Sequence, residues 1–470
     1  MDRWSEDPGS GGPRVWVPGR RLLTAGLILL VTLVASESLA IATVMPLVEQ
    51  DLGDLALYGW VFSGFFLGNL VGIVAAGRAA DRVRPDVPLV AGLALFVAGL
   101  AIGGAAPSMA ALVAGRVVQG IGAGAIPAVA YVCIARAYPP EARPRMFALL
   151  STAWVIPSLI GPGLSGLVGQ QLGWRWVLLG LLPLVVVAGA LAAVAVRDVR
   201  RPDEPIVSGP SMARAAQLVL GAGLLLAGLD LAPSLVSLPV ALAGLAIGVD
   251  AFARLTPAGT LRARPGLPAT VIVKLVFMAS FFAVDTYIPL AVTSQKGVDA
   301  TYAGAIITVT SLVWTAGSWI QERRVRHAGP RPLVATGFSC IVAGAALLAV
   351  VLVPAVPVAL AFLGGAVLGL GAGLTYAPLS AATLASAERG HEGAATSATQ
   401  LAEVLGIALG SGIGGVVIAA TESAGAGVTP GVVAVYVGAG VLAIAGTLLA
   451  VRLPPSVVDT AARGTSSTAS

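Results

Sequence analysis

The sequence predicts an all-α integral membrane protein of fourteen helical spans, grouped as six, two and six. Three observations carry that reading. First, 57% of the 470 residues are apolar and 11% are charged, with a mean hydropathy of +0.91. A soluble domain carries about 25% charged residues, so this chain takes lipid as its main solvent. Second, the apolar residues fall into runs long enough to cross a hydrocarbon core, which takes roughly 20 residues per helix. Third, 24 of the 28 lysines and arginines fall in alternate connecting segments, the asymmetry that marks cytoplasmic loops. A soluble enzyme, a secreted disulfide scaffold and a disordered tail protein are excluded.

Residues 1–20 are polar, rich in Gly, Pro and Arg, and read as a disordered cytoplasmic tail. The first apolar run is too long for a signal-peptide core, so it counts as a span. Six spans fit at about 22–48, 57–77, 87–106, 109–134, 146–170 and 176–196, forming an N-terminal bundle over 21–197. A polar linker, "RDVRRPDEPIVSGPS", leads to shorter runs at about 212–229 and 234–253, and "RLTPAGTLRARPG" follows them. Residues 198–266 therefore read as a linker with two extra transmembrane helices. Six more spans fit at about 268–293, 302–320, 332–353, 357–384, 394–420 and 431–452, a C-terminal bundle over 267–453. Residues 454–470 read as a second disordered cytoplasmic tail. With both termini cytoplasmic, Arg175 and Lys296 are outside, while Arg116 and Lys274 fall within spans. The middle insertion must then cross an even number of times, because one crossing would put "QERRVRHAGPR" outside.

The two halves read as a repeat. Aligning Pro46 with Pro289 also aligns Thr43 with Thr286. "QGIGAGAIPA" (119–128) pairs with "LGLGAGLTYA" (368–377), and Gly77 before "RAADR" pairs with Gly317 before "SWIQER". Two like halves around a central site are a transporter architecture.

Three motifs stand out in the first half. "GRAADRVRP" (77–85) lies in a short cytoplasmic loop, where Gly77 is expected to permit close helix contact. Asp81 among Arg78, Arg82 and Arg84 is placed for charge-assisted bonds to a neighbouring helix end. Gly77, Asp81 and Arg82 are thus a candidate conformational latch; an ordinary basic loop is the competing reading. "GRVVQGIGAG" (115–124) places Arg116 inside a span, facing a cavity or buried partner, or snorkelling to the interface. Gln119 continues the same turn. "PSLIGPGLSG" (157–166) kinks and thins its helix, making Gly161, Pro162 and Gly166 a candidate pivot or tight interface.

In this order and spacing the motifs resemble those of the major facilitator superfamily, over nearly the whole chain. The resemblance implies that superfamily's fold of two six-helix bundles and transport by alternating access. "GPGLSG" is similar to the fifth-span antiporter signature, which implies export. "SESLAIATVMP" (36–46) occupies the place of the first-span signature of the fourteen-span drug:proton antiporters, with Glu37 where that branch usually carries Asp. The inserted pair also fits that branch.

Three acids are embedded in spans: Glu37, Asp285 and Glu403. An ionised carboxylate in hydrocarbon costs on the order of several kcal/mol, so each needs a partner, a wet cavity or a proton. In this superfamily the first and seventh spans line the cavity, which implies Glu37 and Asp285 on facing walls as the proton-coupling pair. Arg116, Gln119, Tyr287, Tyr376 and Glu403 are the candidate substrate-cavity residues, Glu403 being equally readable as a structural hydrogen-bonding group. Lys274 is expected to snorkel to the cytoplasmic interface rather than pair.

The expectation is a proton-coupled exporter of amphipathic small molecules, in the multidrug-efflux manner. The alternatives are a facilitator or proton symporter importing a polar metabolite, or an exporter of lipid-like compounds. No span holds a histidine and no nucleotide loop is present, so neither an enzyme nor ATP use is expected. Cys133 and Cys340 sit in separate apolar runs and suggest neither a disulfide nor a metal site. The expected partners are a small-molecule substrate, protons and the bilayer, with no cofactor, metal or nucleic acid, in a monomer. Arginine so far outnumbers lysine (26 to 2) that a bacterial inner membrane is the expected location.

Overall fold

The computed structural model describes residues 20–139, 142–197, 199, 211–231, 234–387 and 392–455. Nearly all of the expected tails and of the linker after residue 197, together with His391 and the side chain of His327, lie outside the described residues. Among the described residues every regular element is helical. The first half holds α1 (Arg21–Leu52), α2 (Tyr58–Ala80), α3 (Asp86–Gly104), α4 (Met109–Ala137), α5 (Arg143–Thr152), α6 (Val155–Gln171), α7 (Trp174–Leu179) and α8 (Leu182–Val196). The inserted pair is α9 (Met212–Asp230) and α10 (Ser237–Leu255). The second half holds α11 (Leu267–Asp285), α12 (Ile288–Lys296), α13 (Ala300–Ala328), α14 (Pro330–Val351), α15 (Leu360–Ala385), α16 (Glu392–Ser423) and α17 (Val428–Ala450).

Among the described residues, 13 stretches are long and apolar enough to cross a membrane. The run expected as a further span at 146–170 is split into α5, of 10 residues, and α6, of 17. Proline explains this break and two others. A helical proline cannot bond the carbonyl four residues back, and its ring clashes with it. Pro157 addresses the carbonyl of Ala153, and α5 ends at Thr152. Pro183 addresses Leu179, where α7 ends. Pro289 addresses Asp285, where α11 ends. Pro46, Pro127, Pro162 and Pro378 stay inside continuous helices. Pro46 and Pro289, aligned in sequence, therefore differ in effect: only Pro289 breaks its span.

The repeat is visible in the packing. A Cβ on Gly120 would lie 2.0 Å from the Phe65 carbonyl oxygen, and one on Gly369 2.0 Å from that of Thr310. One turn on, Gly124 meets the Asn69 carbonyl and Gly373 that of Trp314. The paired glycine motifs thus press α4 on α2 and α15 on α13 in one register. That register corrects one sequence pairing. Gly72 abuts the Ile121 carbonyl as Gly317 abuts that of Leu370, so Gly72, not Gly77, is the counterpart of Gly317.

The halves meet where α6 packs on α13, α2 on α16, and α1 on α12 and α13. Their closest approaches lie at the end opposite the Asp81 loop. There Gly166 backs onto Thr301, Gly304 onto the Pro162 carbonyl, and Gly59 onto Gly415. The inserted helices pair through Gly221, Gly228 and Gly244. α9 then lies along the α2–α16 seam, burying Leu218 and Ala222 against Leu67, Leu70, Leu401 and Leu405.

Candidate functional site

Arg116 is buried two turns into α4, where Ser108 caps the helix start by accepting from the Ala111 amide. Its guanidinium is bonded through two of its three nitrogens. Nη1 forms a close ion pair with Glu37 Oε1 of α1 and donates to Gln119 Oε1 at 2.7 Å. Nε donates to the Val61 carbonyl of α2 at 3.2 Å, and Cζ lies 4.2 Å from the centre of the Phe65 ring. Three helices therefore converge on one arginine. Glu37 is 0% exposed and Arg116 2%, so snorkelling is ruled out in this conformation. Glu37 Oε2 and Gln119 Nε2 are buried and make no hydrogen bond among the described residues. Such unpaired polar atoms in a low-dielectric site are costly.

The second half holds a matching charge cluster. Lys274 Nζ of α11 lies 3.1 Å from Glu403 Oε2 of α16 and 3.3 Å from the centre of the Tyr376 ring of α15. The Tyr376 hydroxyl donates to both Glu403 oxygens at 3.3 Å. The expectation that Lys274 snorkels is thus corrected. Glu403 and Tyr376 lie within reach and satisfy the ammonium inside the protein, at lower cost than an apolar path to the interface.

A continuous series of aromatic contacts joins the two clusters. From Phe65, beneath Arg116, ring centroids step 5.2 Å to Phe66, 6.3 Å to Phe282 and 5.2 Å to Phe281. They continue 5.0 Å to Trp314 and 5.9 Å to Tyr376, over which Lys274 sits. Each separation suits edge-to-face or offset contact, and each end carries a cation on a ring face. Phe66, Phe282, Trp314 and Tyr376 are half-buried, so parts of their surface remain open.

One expected cavity position is corrected. Tyr287 is completely buried: its hydroxyl donates to the Ser411 carbonyl and its ring stacks on Tyr58 at 5.6 Å. It sits against Gly414 and Gly415 and fills the seam between α2 and α16, because the break before Pro289 turns it out of the helix line. Asp285 is not bonded to Glu37. Glu37 is held by α4, while Asp285, at the α11 terminus, lies near Tyr436 of α17 in its own half. Asp285 has neither ion pair nor hydrogen bond among the described residues.

The loop and pivot motifs also resolve. Asp81 pairs with Arg136 in the last turn of α4 at 3.6 Å, while Arg84 bonds Asp86 through two nitrogens. Arg82 is the next residue of the same turn. Gly77 is corrected: a Cβ there would meet nothing within 4 Å, because α2 makes its close approach to α4 earlier, at Gly68 and Gly72. Gly161 likewise faces open space, whereas Gly166 and Pro162 touch α13.

Sequence reasoning missed Trp314, Tyr58 and the pairing of Lys274 with Glu403. The available signal for that pair was two opposite charges isolated in apolar spans of the same half. The aromatic path has no sequence period, since it crosses four helices.

Two repeated helical bundles with buried charge clusters define a multi-pass membrane protein of the transporter class. The chain belongs to the Major Facilitator Superfamily, whose sequence model matches residues 27–411. "Probable multidrug-efflux transporter Rv1634" of Mycobacterium tuberculosis is 28% identical over 441 residues, 89% of this chain and 91% of that protein. "Multidrug transporter protein MdtP" of Bacillus subtilis is 27% identical over 401 residues, 82% of this chain and 73% of that one. The "Uncharacterized MFS-type transporter Rv1877" of M. tuberculosis is 28% identical over 198 residues, which span 42% of this chain and 29% of that protein. In fold, the chain is similar to an auto-inhibited POT family peptide transporter, with a TM-score of 0.66 at 16% identity, covering 93% of this chain and 99% of that one. It is similar also to the human organic anion transporter MFSD10, with a TM-score of 0.61 at 15% identity over 92% and 100%.

Proposed function

We propose that this protein is a proton-coupled exporter of amphipathic small molecules, working by alternating access as a monomer in a bacterial inner membrane, with both termini cytoplasmic. Relatives named for multidrug transport, similar over most of their length, support the export reading. The observation that carries proton coupling is the Glu37–Arg116 pair, in which one carboxylate oxygen is bound and the other is buried without a partner. A proton arriving at Glu37 Oε2 neutralises the carboxylate and weakens its hold on Arg116, which ties α1 to α4 and α2. Proton binding thereby acquires a different affinity in two helix arrangements, the condition for coupling. Asp285, without a counter-charge, is the second acid of the reading. The half-buried rings between the clusters supply a wall for apolar groups of the substrate. The Asp81–Arg136 pair latches the loop after α2 to the end of α4, and Pro162 with Gly166 forms the contact about which α6 moves on α13.

The test uses purified protein in liposomes with an imposed pH gradient, screened with cationic drugs, lipids and sugars. Glu37→Gln keeps the shape and fixes the neutral form. It should retain binding of a neutral substrate and lose export against a gradient. Uphill export by Glu37→Gln with an unaltered pH profile overturns the assignment.

A further inference from the structure

The cluster in the second half is built unlike that in the first. Lys274 is the more enclosed partner, its side chain 4% exposed, and Glu403 the more open one at 24%. Glu403 is the only anion bonded to Lys274 among the described residues; the other contact of the ammonium is the Tyr376 ring. A cation on a ring face within an apolar setting still needs an anion, since quadrupole attraction replaces little of the lost hydration. The open side of the cluster therefore presents a carboxylate covering a buried ammonium.

The surroundings name what could replace that carboxylate. The polar or titratable groups facing the cluster are Tyr376 on α15, Gln400 one turn before Glu403 on α16, and Tyr131 on α4. Tyr131 lies close enough to Gln400 and Glu403 to interact with both. On α13 the facing group is the Trp314 ring, 5.9 Å from Tyr376, and on α11 itself it is Phe277, three residues after Lys274. No second cation is bonded to Glu403 among the described residues, so once neutral it leaves Lys274 unbalanced. An incoming molecule that meets these groups needs an anionic head for Lys274 and an apolar body for the aromatic path.

We infer that Lys274 is the docking cation for an amphipathic carboxylic acid and that Glu403 is the base that receives the acid's proton. The acid arrives neutral through the bilayer or the cavity. Its O–H bond breaks, a new O–H bond forms on Glu403, and the hydrogen bond donated by Lys274, whose N–H bonds all stay intact, shifts from Glu403 to the substrate carboxylate. Nothing is oxidised or reduced, and the net charge of the site is unchanged, so the swap requires no charge to move into the low-dielectric interior. Tyr131 of the first half, within reach of Gln400 and Glu403 of the second, places the exchange between the halves. The inference rests on the transport reading above and adds to it a substrate class and a second proton-accepting carboxylate.

The experiment is equilibrium binding of a matched pair of fluorescent probes, dansyl-undecanoic acid and dansyl-undecylamine, to full-length protein in nanodiscs from pH 6 to pH 8. In the unmodified protein, acid-probe affinity should fall about tenfold per pH unit where Glu403 must take up a proton for binding. Glu403→Gln leaves the ammonium uncovered. It should bind the acid probe at least tenfold more tightly at pH 8, with no pH dependence over that range. Lys274→Met should lose at least tenfold in acid-probe affinity and keep the amine probe. Because Lys274→Met leaves Glu403 unpaired and can impair folding, Lys274→Met/Glu403→Gln is the second variant, with the same loss expected. Acid binding unaffected by loss of Lys274, or a pH dependence that survives in Glu403→Gln, overturns the inference. Gradient-driven export of the amine probe, measured separately in liposomes, tests the transport reading, so either can fail while the other stands.

Discussion

Gly59 of α2 and Gly415 of α16 meet backbone to backbone across the two halves: a Cβ on Gly59 would lie 2.9 Å from the Cα of Gly415. The contact sits at the end where the Tyr287 hydroxyl reaches the Ser411 carbonyl and its ring stacks on Tyr58. The Ser63 hydroxyl of α2, one turn deeper, donates to the Ala408 carbonyl at 2.8 Å. Small residues let the helices approach, and polar groups fix their register, which is how helices associate in lipid. The arrangement closes this end of the molecule.

Gly59→Val should open this seam. The added side chain overlaps backbone that cannot move aside locally, and overpacking of this kind costs about 1–3 kcal/mol. The expected outcome is a lower unfolding temperature in detergent and a loss of transport with normal membrane insertion. Unchanged transport would show that the contact is not formed during the cycle.

Removing the Arg116 charge strands Glu37. Breaking a buried pair from one side costs about 3–5 kcal/mol, so Arg116→Ala should unfold at markedly lower temperature and transport nothing. Arg116→Ala/Glu37→Gln should recover most of the stability and none of the transport. Arg116→Lys should rescue poorly, because lysine lacks the fork that reaches Glu37, Gln119 and Val61 together. Full activity of Arg116→Ala contradicts the assignment.

The Asp81–Arg136 pair separates stability from function. Its side chains are 25% and 19% exposed, and a partly solvated ion pair contributes about 1 kcal/mol or less. Asp81→Asn should therefore change the unfolding temperature little while slowing transport. A double-mutant cycle with Arg136→Gln should show coupling in transport rate. Additive effects would remove the latch.

Two glycines of one motif should respond oppositely. Gly166→Ala drives a methyl against Thr301, 2.8 Å from its Cα, and should lower stability and transport. Gly161→Ala meets nothing within 4 Å and should be neutral or stabilising by up to about 1 kcal/mol, from helix propensity. Equal damage from both would favour backbone flexibility over contact as the role of the motif.

Membrane orientation is testable at the turn between the inserted helices, where Leu235 is 98% exposed. In a background with Cys133 and Cys340 replaced, Leu235→Cys should react with an impermeant thiol reagent added outside intact cells. Reaction from the cytoplasmic side alone reverses the topology.

Class, repeat and fold family were legible in the order of the residues. Hydropathy is a local property, and lipid allows a long apolar run little choice but a helix. The glycine motifs were legible for a related reason, since a helix can press its backbone on another only where side chains are absent. The proline breaks at Ala153 and Asp285 were also written locally, a kink being expected near the first and none at the second. The pairing of the buried charges came from the packing of the helices. Which charge meets Arg116 depends on the rotation of α1 against α4, and residues in different spans carry no mutual phase in the sequence. The same uncertainty put Lys274 at the interface in expectation and against Glu403 in the folded chain. Helix existence follows from composition, whereas helix rotation follows from the sum of many small packing contacts, and the chemistry of this site depends on rotation.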